Sequence, residues 1–217
     1  MKPAIRYFGW SALSVETDAG ALFFDPFYRD YCGAKWFDLE DFAHASVVCA
    51  THGHEEHYLD IPDVVKRSGA DVIGTKAVTD YLAWRSKVPR ERLHPTEPFH
   101  PVDVRGFHVT TFKWQHRDIN LWKALTKAVF QGNATQLSWA WSSATNAPFY
   151  SDYTGFHVET PGCPRILNYN EGFNTKMTDA EIAEIGSRLK TDVLLAGMQL
   201  NFMEDVARGA KALDPKL

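Results

Sequence analysis

Three histidines fall within six residues in Thr51-His52-Gly53-His54-Glu55-Glu56-His57-Tyr58-Leu59-Asp60. With nine histidines in a chain of 217 residues, an H-x-H-x-x-H spacing is expected by chance only roughly 0.015 times. Imidazole nitrogen and carboxylate oxygen suit Zn2+, with Mn2+ or Fe as alternatives. His52 and His54 are two apart, so on an extended turn they can point to one side and share an ion. Glu56 and His57 can then face a second position. The spacing is not that of the H-E-x-x-H helix of zinc proteases. The bland alternative is a polar loop with solvated histidines, and the density of the cluster argues against it.

The elements around the cluster give it a place to act. Ser46 to Ala50 reads as a strand buried on both faces, and the histidines follow it directly. In α/β sheets, ligands and catalytic groups sit at the carboxyl ends of strands. Ile5 to Glu16 alternates loosely and reads as one strand. Thr17 to Gly20 is a turn, and Ala21 to Phe24 is a second strand closed by Asp25-Pro26. The pattern predicts a helix over Ile61 to Ser68 ended by Gly69, a strand over Asp71 to Gly74, and a helix capped by Thr75 running to about Lys87. Residues 89–102 carry four prolines and read as a surface excursion. Val104 to Trp114 returns as strands, with a hairpin around Gly106. Tyr153 to Thr160 and Arg165 to Tyr169 form a further hairpin. Thr178-Asp-Ala-Glu181 is a capping box that opens a helix. Asp192 to Ala196 reads as a buried strand and Glu204 to Leu213 as the last helix. Strands outnumber what a doubly wound sheet needs, so two packed sheets flanked by helices are expected.

Residues 119–150 differ in character. Leu121, Trp122, Leu125 and Val129 have helical spacing, and Trp139, Trp141, Phe149 and Tyr150 follow among small polar residues. Loops this long inside a compact domain are usually functional, and aromatics bury enough area to order a segment. The expectation is a partly helical cap over the site, inserted in a single domain that covers residues 1–217. The competing reading is a shield or dimer contact.

Composition bounds the remaining choices. The charge sum is −4 with an isoelectric point near 6.1, which argues against a nucleic-acid partner held by net basicity. Cys32, Cys49 and Cys163 are few, odd in number and widely spaced, which fits a reducing cytoplasm. No apolar run approaches the ~20 residues of a membrane span. The partner expected is a small-molecule substrate, and a homo-oligomer is compatible with the composition.

At Thr51-His52-x-His54-x-Glu56-His57 the sequence resembles the metallo-β-lactamase fold superfamily of metal-dependent hydrolases, whose signature is T-H-x-H-x-D-H after a buried strand. Tyr7-Phe8-Gly9-Trp10-Ser11-Ala12-Leu13, Leu22-Phe23-Phe24-Asp25-Pro26 and the stretch Met198 to Met203 resemble its lactonase and phosphodiesterase-like branch. The resemblance implies an αββα four-layer sandwich with metals at one edge. It implies His52, His54 and His116 as ligands of a first site, and Glu56 and His57 as ligands of a second. Alone, His116 at a strand end reads more readily as structural. The family's bridging Asp falls on Asn170 in Tyr169-Asn170-Glu171-Gly172. Asn is a weaker ligand, and Glu171 could supply the carboxylate by a register shift. The family's last histidine would follow the last helix on one more strand, where this sequence stops at Leu217, so the sandwich is expected to lack that strand. Asp25 either orients a ligand histidine or only starts the Asp-Pro turn.

The function that follows is metal-dependent hydrolysis of a lactone, ester or phosphodiester, with water activated near neutral pH and Glu56 as general base. Two other readings stand beside it. One is a non-hydrolytic, degenerate metal-binding member of the same fold, motivated by Asn170 and the missing histidine. The other is a TIM-barrel amidohydrolase, disfavoured because that barrel needs roughly 250 residues.

Overall fold

Short apolar runs punctuated by Gly, Asp and Pro fold into two stacked sheets in a computed structural model. The structure describes residues 2–29, 37–117, 152–197 and 202–217, with isolated positions at 126, 129–130, 137–138 and 141. The first sheet runs in chain order: β1 (Ala4–Gly9), β2 (Ala12–Thr17), β3 (Gly20–Phe24), β4 (Ala45–Ala50), β5 (Asp71–Thr75) and β6 (Leu93–Thr96). Its first three strands are antiparallel and β3 to β6 are parallel. The second sheet contains β7 (Pro101–Val104), β8 (Phe107–Trp114), β9 (Tyr153–Glu159), β10 (Ile166–Asn170) and β11 (Val193–Ala196), in the order β11-β10-β9-β8-β7. Only its β10–β11 pair is parallel. The described α-helices are α1 (Glu55–Tyr58), α2 (Ile61–Ser68), α3 (Lys76–Arg85), α4 (Asp179–Arg188) and α5 (Met203–Leu213).

The pleat sends successive side chains to opposite faces, and both faces of the central strands are covered. Leu22, Phe24, Val47, Cys49 and Ile73 of the first sheet meet Val109, Phe156, Val158 and Ile166 of the second. On the outer face Phe23, Val48 and Val72 pack on Ile61, Val64, Val78 and Leu82 of α2 and α3. Across the second sheet Phe112, Leu167 and Tyr169 pack on Ile182, Ile185 and Leu213 of α4 and α5. This is the expected layering of helices, sheet, sheet and helices.

Local signals place the helix ends. Gly69 is left-handed, with φ of 74°, and its N–H donates to Val65 O at 2.8 Å. The Thr75 hydroxyl accepts from Val78 N. Thr178 and Glu181 form both halves of a capping box.

Other expectations are corrected. Ile5 to Glu16 is two strands, because Gly9 (φ 100°) and Trp10 (φ 49°) make a tight turn between them. The proline-rich stretch 89–102 contributes β6 and β7, so it is built into both sheets. Val193–Ala196 is half-buried, because it lies at the sheet's edge. Next to it the backbone of Leu217 donates to Asp192 O and accepts from Leu194 N, both at 3.0 Å. The cap expected over 119–150 lies outside the described residues apart from its isolated positions, as does most of Met198 to Met203. No described helix is long and apolar enough to cross a membrane.

Candidate metal centre

Strand ends from both sheets meet at one edge. β3 ends at Asp25, whose N–H donates to Cys49 O at 3.0 Å. β4 runs into Thr51 and His52, and His54 is the N-terminal cap of α1, which carries Glu56 and His57. From the second sheet β8 delivers His116 just past Trp114, and β10 ends at Asn170. Thr154 N donates to Thr51 O at 2.9 Å and ties β9 to the end of β4.

His52, His54 and His116 are brought together. One ring nitrogen of each lies within 4.8 Å of those of the others, and all three residues are buried. His52 Nε2 is 2.9 Å from His54 Nδ1. The outward nitrogens set the tautomers. The Thr51 hydroxyl donates to Asp25 Oδ2 at 2.7 Å, so it accepts from His52 Nδ1–H at 2.9 Å. That leaves the His52 Nε2 lone pair on the cluster side. His116 Nδ1–H donates to Arg117 O at 2.7 Å, which likewise leaves its Nε2 lone pair inward. Burial, with neighbouring His57 and His116, drives the His54 ring down to about 3. Burial also pushes His52 well down, with His57, His54 and His116 adding to it. These rings stay neutral, the form a metal needs. Three convergent imidazoles fit a divalent cation by donor chemistry. Tyr153 and Trp114 line the cluster, with ring centroids 4.8 and 5.8 Å from His116.

Asp25 braces this edge and is fully buried. Oδ1 accepts from Thr51 N at 2.8 Å. Oδ2 accepts from Thr51 Oγ1, His57 Nδ1 at 2.8 Å and Asn170 Nδ2 at 2.8 Å. Burial would lower the His57 pKa, but the charge and hydrogen bond of Asp25 outweigh it and raise the ring to about 9. With Nδ1 held by Asp25, His57 Nε2 points toward Glu56, whose Oε1 is 3.9 Å away. Glu56 is half-buried.

Asn170 takes a different direction from the three histidines. Its backbone is left-handed, with φ of 49°, a conformation that Asn tolerates. Its amide nitrogen donates to Asp25 and, at 3.0 Å, to Thr51 Oγ1, while Oδ1 accepts from Ser11 at 3.4 Å. The next residue, Glu171, places Oε2 3.6 Å from His116 Nε2. Burial would raise the Glu171 carboxyl, but His116, His57 and Arg117 outweigh it and hold it at about 2, so the group is anionic at neutral pH. A cleft of about 610 Å3 opens beside Asn170 and Glu171, between Trp10 and Leu13 of the first sheet and Leu194 and Leu195 of the second. Sequence reasoning missed the part of the Thr51 hydroxyl. Its position between Asp25's strand end and His52 is the only signal that points to it.

No family model matches the sequence. A UPF0173 metal-dependent hydrolase of Geobacillus sp. (strain WCH70) is 32% identical over 108 residues, 50% of this chain and 42% of that protein. Another from Bacillus subtilis (strain 168) is 33% identical over 82 residues, 37% of this chain and 35% of its own length. The chain thus spans less than half the length of the curated relatives it matches. Among solved structures, the metallo hydrolase Igni18 from Ignicoccus hospitalis superposes with a TM-score of 0.66 at 19% identity, over 97% of this chain and 78% of that one. A possible metal-dependent hydrolase from Veillonella parvula gives 0.60 at 12% identity, over 98% and 80%. A metallo-β-lactamase from Cronobacter sakazakii gives 0.51 at 14% identity, over 97% and 84%. Likeness at such identity is a likeness of fold: the chain has the two-sheet fold of these metallo-hydrolase and metallo-β-lactamase structures.

Proposed function

We propose that this protein is a metal-dependent hydrolase acting on a lactone, an ester or a phosphodiester. The observation that carries the reading is the convergence of His52, His54 and His116, all buried, at the edge where the strands of both sheets end. The relatives named as metal-dependent hydrolases support it. In this reading the three histidines hold one ion, and Glu56 and His57 line the adjoining position. Zn2+ matches the imidazole donors, with Mn2+ or Fe as the competing ions. When bound, the ion supplies Lewis-acid activation of water and of the oxygen under attack.

The chain's own residues do the rest. Thr51 and Arg117 O hold the outer nitrogens of His52 and His116, so both inner lone pairs stay aimed at one point. Asp25 fixes the His57 ring and thereby the side of α1 that Glu56 occupies. Glu56 takes the proton of the attacking water and returns it to the leaving group. The cleft between Trp10 and Leu194 receives the substrate's apolar part. The site works in the cytoplasm, as the sparse cysteines suggest.

A second reading is a non-hydrolytic metal-binding protein, favoured by one observation: the amide of Asn170 is committed to Asp25 and Thr51. Elemental analysis of protein purified without added metal tests both readings. The expected result is at least one ion per chain, lost in His54→Ala and retained in His157→Ala, with turnover on an ester, lactone or phosphodiester panel. Metal without turnover selects the second reading. Absence of metal, or equal loss in both variants, overturns both.

A further inference from the structure

We propose that Trp10 is the specificity-determining residue of this site, and that the substrate is an uncharged ester or lactone whose acyl chain lies against its indole. The proposal rests on the hydrolase reading above and narrows it. It starts from a backbone cost. Trp10 and Ser11 join Gly9 to Ala12, which pair across β1 and β2. Trp10 has φ of 49°, in the left-handed region where a bulky side chain is an outlier. Glycine, asparagine or aspartate would close the turn with less steric penalty. Burial offsets little of that penalty, because Trp10 is 46% exposed. Strain of this kind collects where a side chain is presented to a ligand.

What Trp10 is presented to is the cleft of about 610 Å3 beside the centre, a volume usual for small-molecule sites. Its inner end is at the metal edge, since Glu171 lines it and lies 3.6 Å from His116. Its walls are apolar. Tyr7 pairs with Leu13 across β1 and β2, so both stand on one face, and Leu194 and Leu195 of β11 close the other side. Tyr7 is 64% exposed, so a second aromatic face is open to the same ligand. The charge in the cleft decides the substrate's reacting group. Among the described residues that line it, none is a lysine or arginine, and Glu171 is the one carboxylate. Arg117 is exposed and does not line the cleft. A phosphodiester would bring a negative charge past a carboxylate with no side-chain cation to meet it, and taking an unpaired charge from water is costly. A carboxyl ester or lactone carries no charge. Its acyl chain gains from the apolar walls with each methylene buried.

Binding to the metal-stripped full chain tests this without turnover. Methyl butanoate, methyl hexanoate and methyl hexyl phosphate are titrated by calorimetry into wild type, Trp10→Asn and Trp10→Phe. In wild type, methyl hexanoate is expected to bind about 5- to 15-fold tighter than methyl butanoate, from two further buried methylenes, and at least fivefold tighter than methyl hexyl phosphate. Trp10→Asn is expected to lose the chain-length preference while its thermal melt stays at or above that of wild type, because asparagine tolerates the left-handed turn. Trp10→Phe is expected to keep most of the preference. No binding of methyl hexanoate by wild type, a preference in Trp10→Asn within twofold of wild type, or equal binding of the phosphate overturns the proposal. A melt lowered by more than a few degrees in Trp10→Asn shows a tryptophan held for packing and overturns it too. The same compounds are then assayed with wild type reconstituted with Zn2+. Turnover of the phosphate alone overturns the proposal and leaves the hydrolase reading standing. Binding as expected with no turnover of either ester counts against the hydrolase reading, and the cleft assignment stands on the titrations.

Discussion

Replacing Asp25 by Asn isolates the bracing of the centre from metal binding. The change keeps the side-chain shape and swaps one acceptor for a donor. If the oxygen stays on Thr51 N, the new nitrogen faces His57 Nδ1–H and Asn170 Nδ2–H, both at 2.8 Å. The Thr51 hydroxyl can rotate, but the other two donors cannot. Hydrogen bonds to a charged group contribute about 1.5–3 kcal/mol each, so losing two costs about 3–6 kcal/mol. The pKa of His57 gives an independent figure. Raised from 6.5 to about 9 in a fully buried ring, it corresponds to about 3 kcal/mol at 1.36 kcal/mol per unit. The sign follows from protonation. The folded state binds the proton more tightly, so this stability is fully present below pH 6.5 and is lost as pH rises through about 9. Urea unfolding with a chelator present, followed by tryptophan fluorescence at pH 6 and pH 9.5, reads both effects. Wild type should lose about 3 kcal/mol between the two pH values, whereas Asp25→Asn should start about 3–6 kcal/mol lower at pH 6 and lack that loss. A variant within 1 kcal/mol of wild type at pH 6, or one with the same pH dependence, would refute the bracing argument.

Other perturbations bear on separate parts of the molecule. Glu56→Gln should retain bound metal by elemental analysis and lower kcat about 100- to 10,000-fold on whichever substrate the panel yields; an unchanged kcat removes Glu56 from the chemistry. Gly155 pairs with Phe112 across β8 and β9, and a Cβ there would lie 2.1 Å from the Phe112 ring. Gly155→Ala should therefore cost about 1–3 kcal/mol in urea unfolding, and a neutral result would show that the ring moves freely. Thr178→Ala removes both hydroxyl contacts of the α4 capping box and should cost about 1 kcal/mol, lowering Tm by about 2–4 °C at this size.

What was legible in the sequence was local in origin. Gly69, Thr75 and Thr178 act on their own helices within one turn, and each stands where its residue type suggests. β3 and β4 read as strands because covered faces demand apolar runs. β6 was not legible. Leu93–Thr96 contains Pro95, which argues against a strand, yet it pairs with β5 at the open edge of the first sheet. A proline is tolerated there because its missing N–H would face outward. The Gly9-Trp10 turn was missed for a similar reason, since a tryptophan at φ 49° has no turn propensity to announce it. In the centre, the two-residue spacing of His52 and His54 was legible. His116 comes from the other sheet, and only the packing of the sheets brings it within reach.

The placement of Asn170 shows how the fold and the chemistry constrain each other. Asp25, Thr51 and His57 belong to the first sheet and its helix, and Asn170 belongs to the second. The hydrogen bonds from Asn170 to Asp25 and Thr51, with Thr154 N on Thr51 O, fasten the two sheets at the edge where the donors gather. A residue in that position must donate to a buried carboxylate, so it must be neutral and carry an N–H or O–H. An anionic side chain there would work against the joint between the two sheets. A left-handed turn at 170 sends the side chains of Asn170 and Glu171 in different directions. The amide faces the joint, and the Glu171 carboxylate that follows lies 3.6 Å from His116 Nε2. Asparagine at 170 is therefore part of how this edge is built.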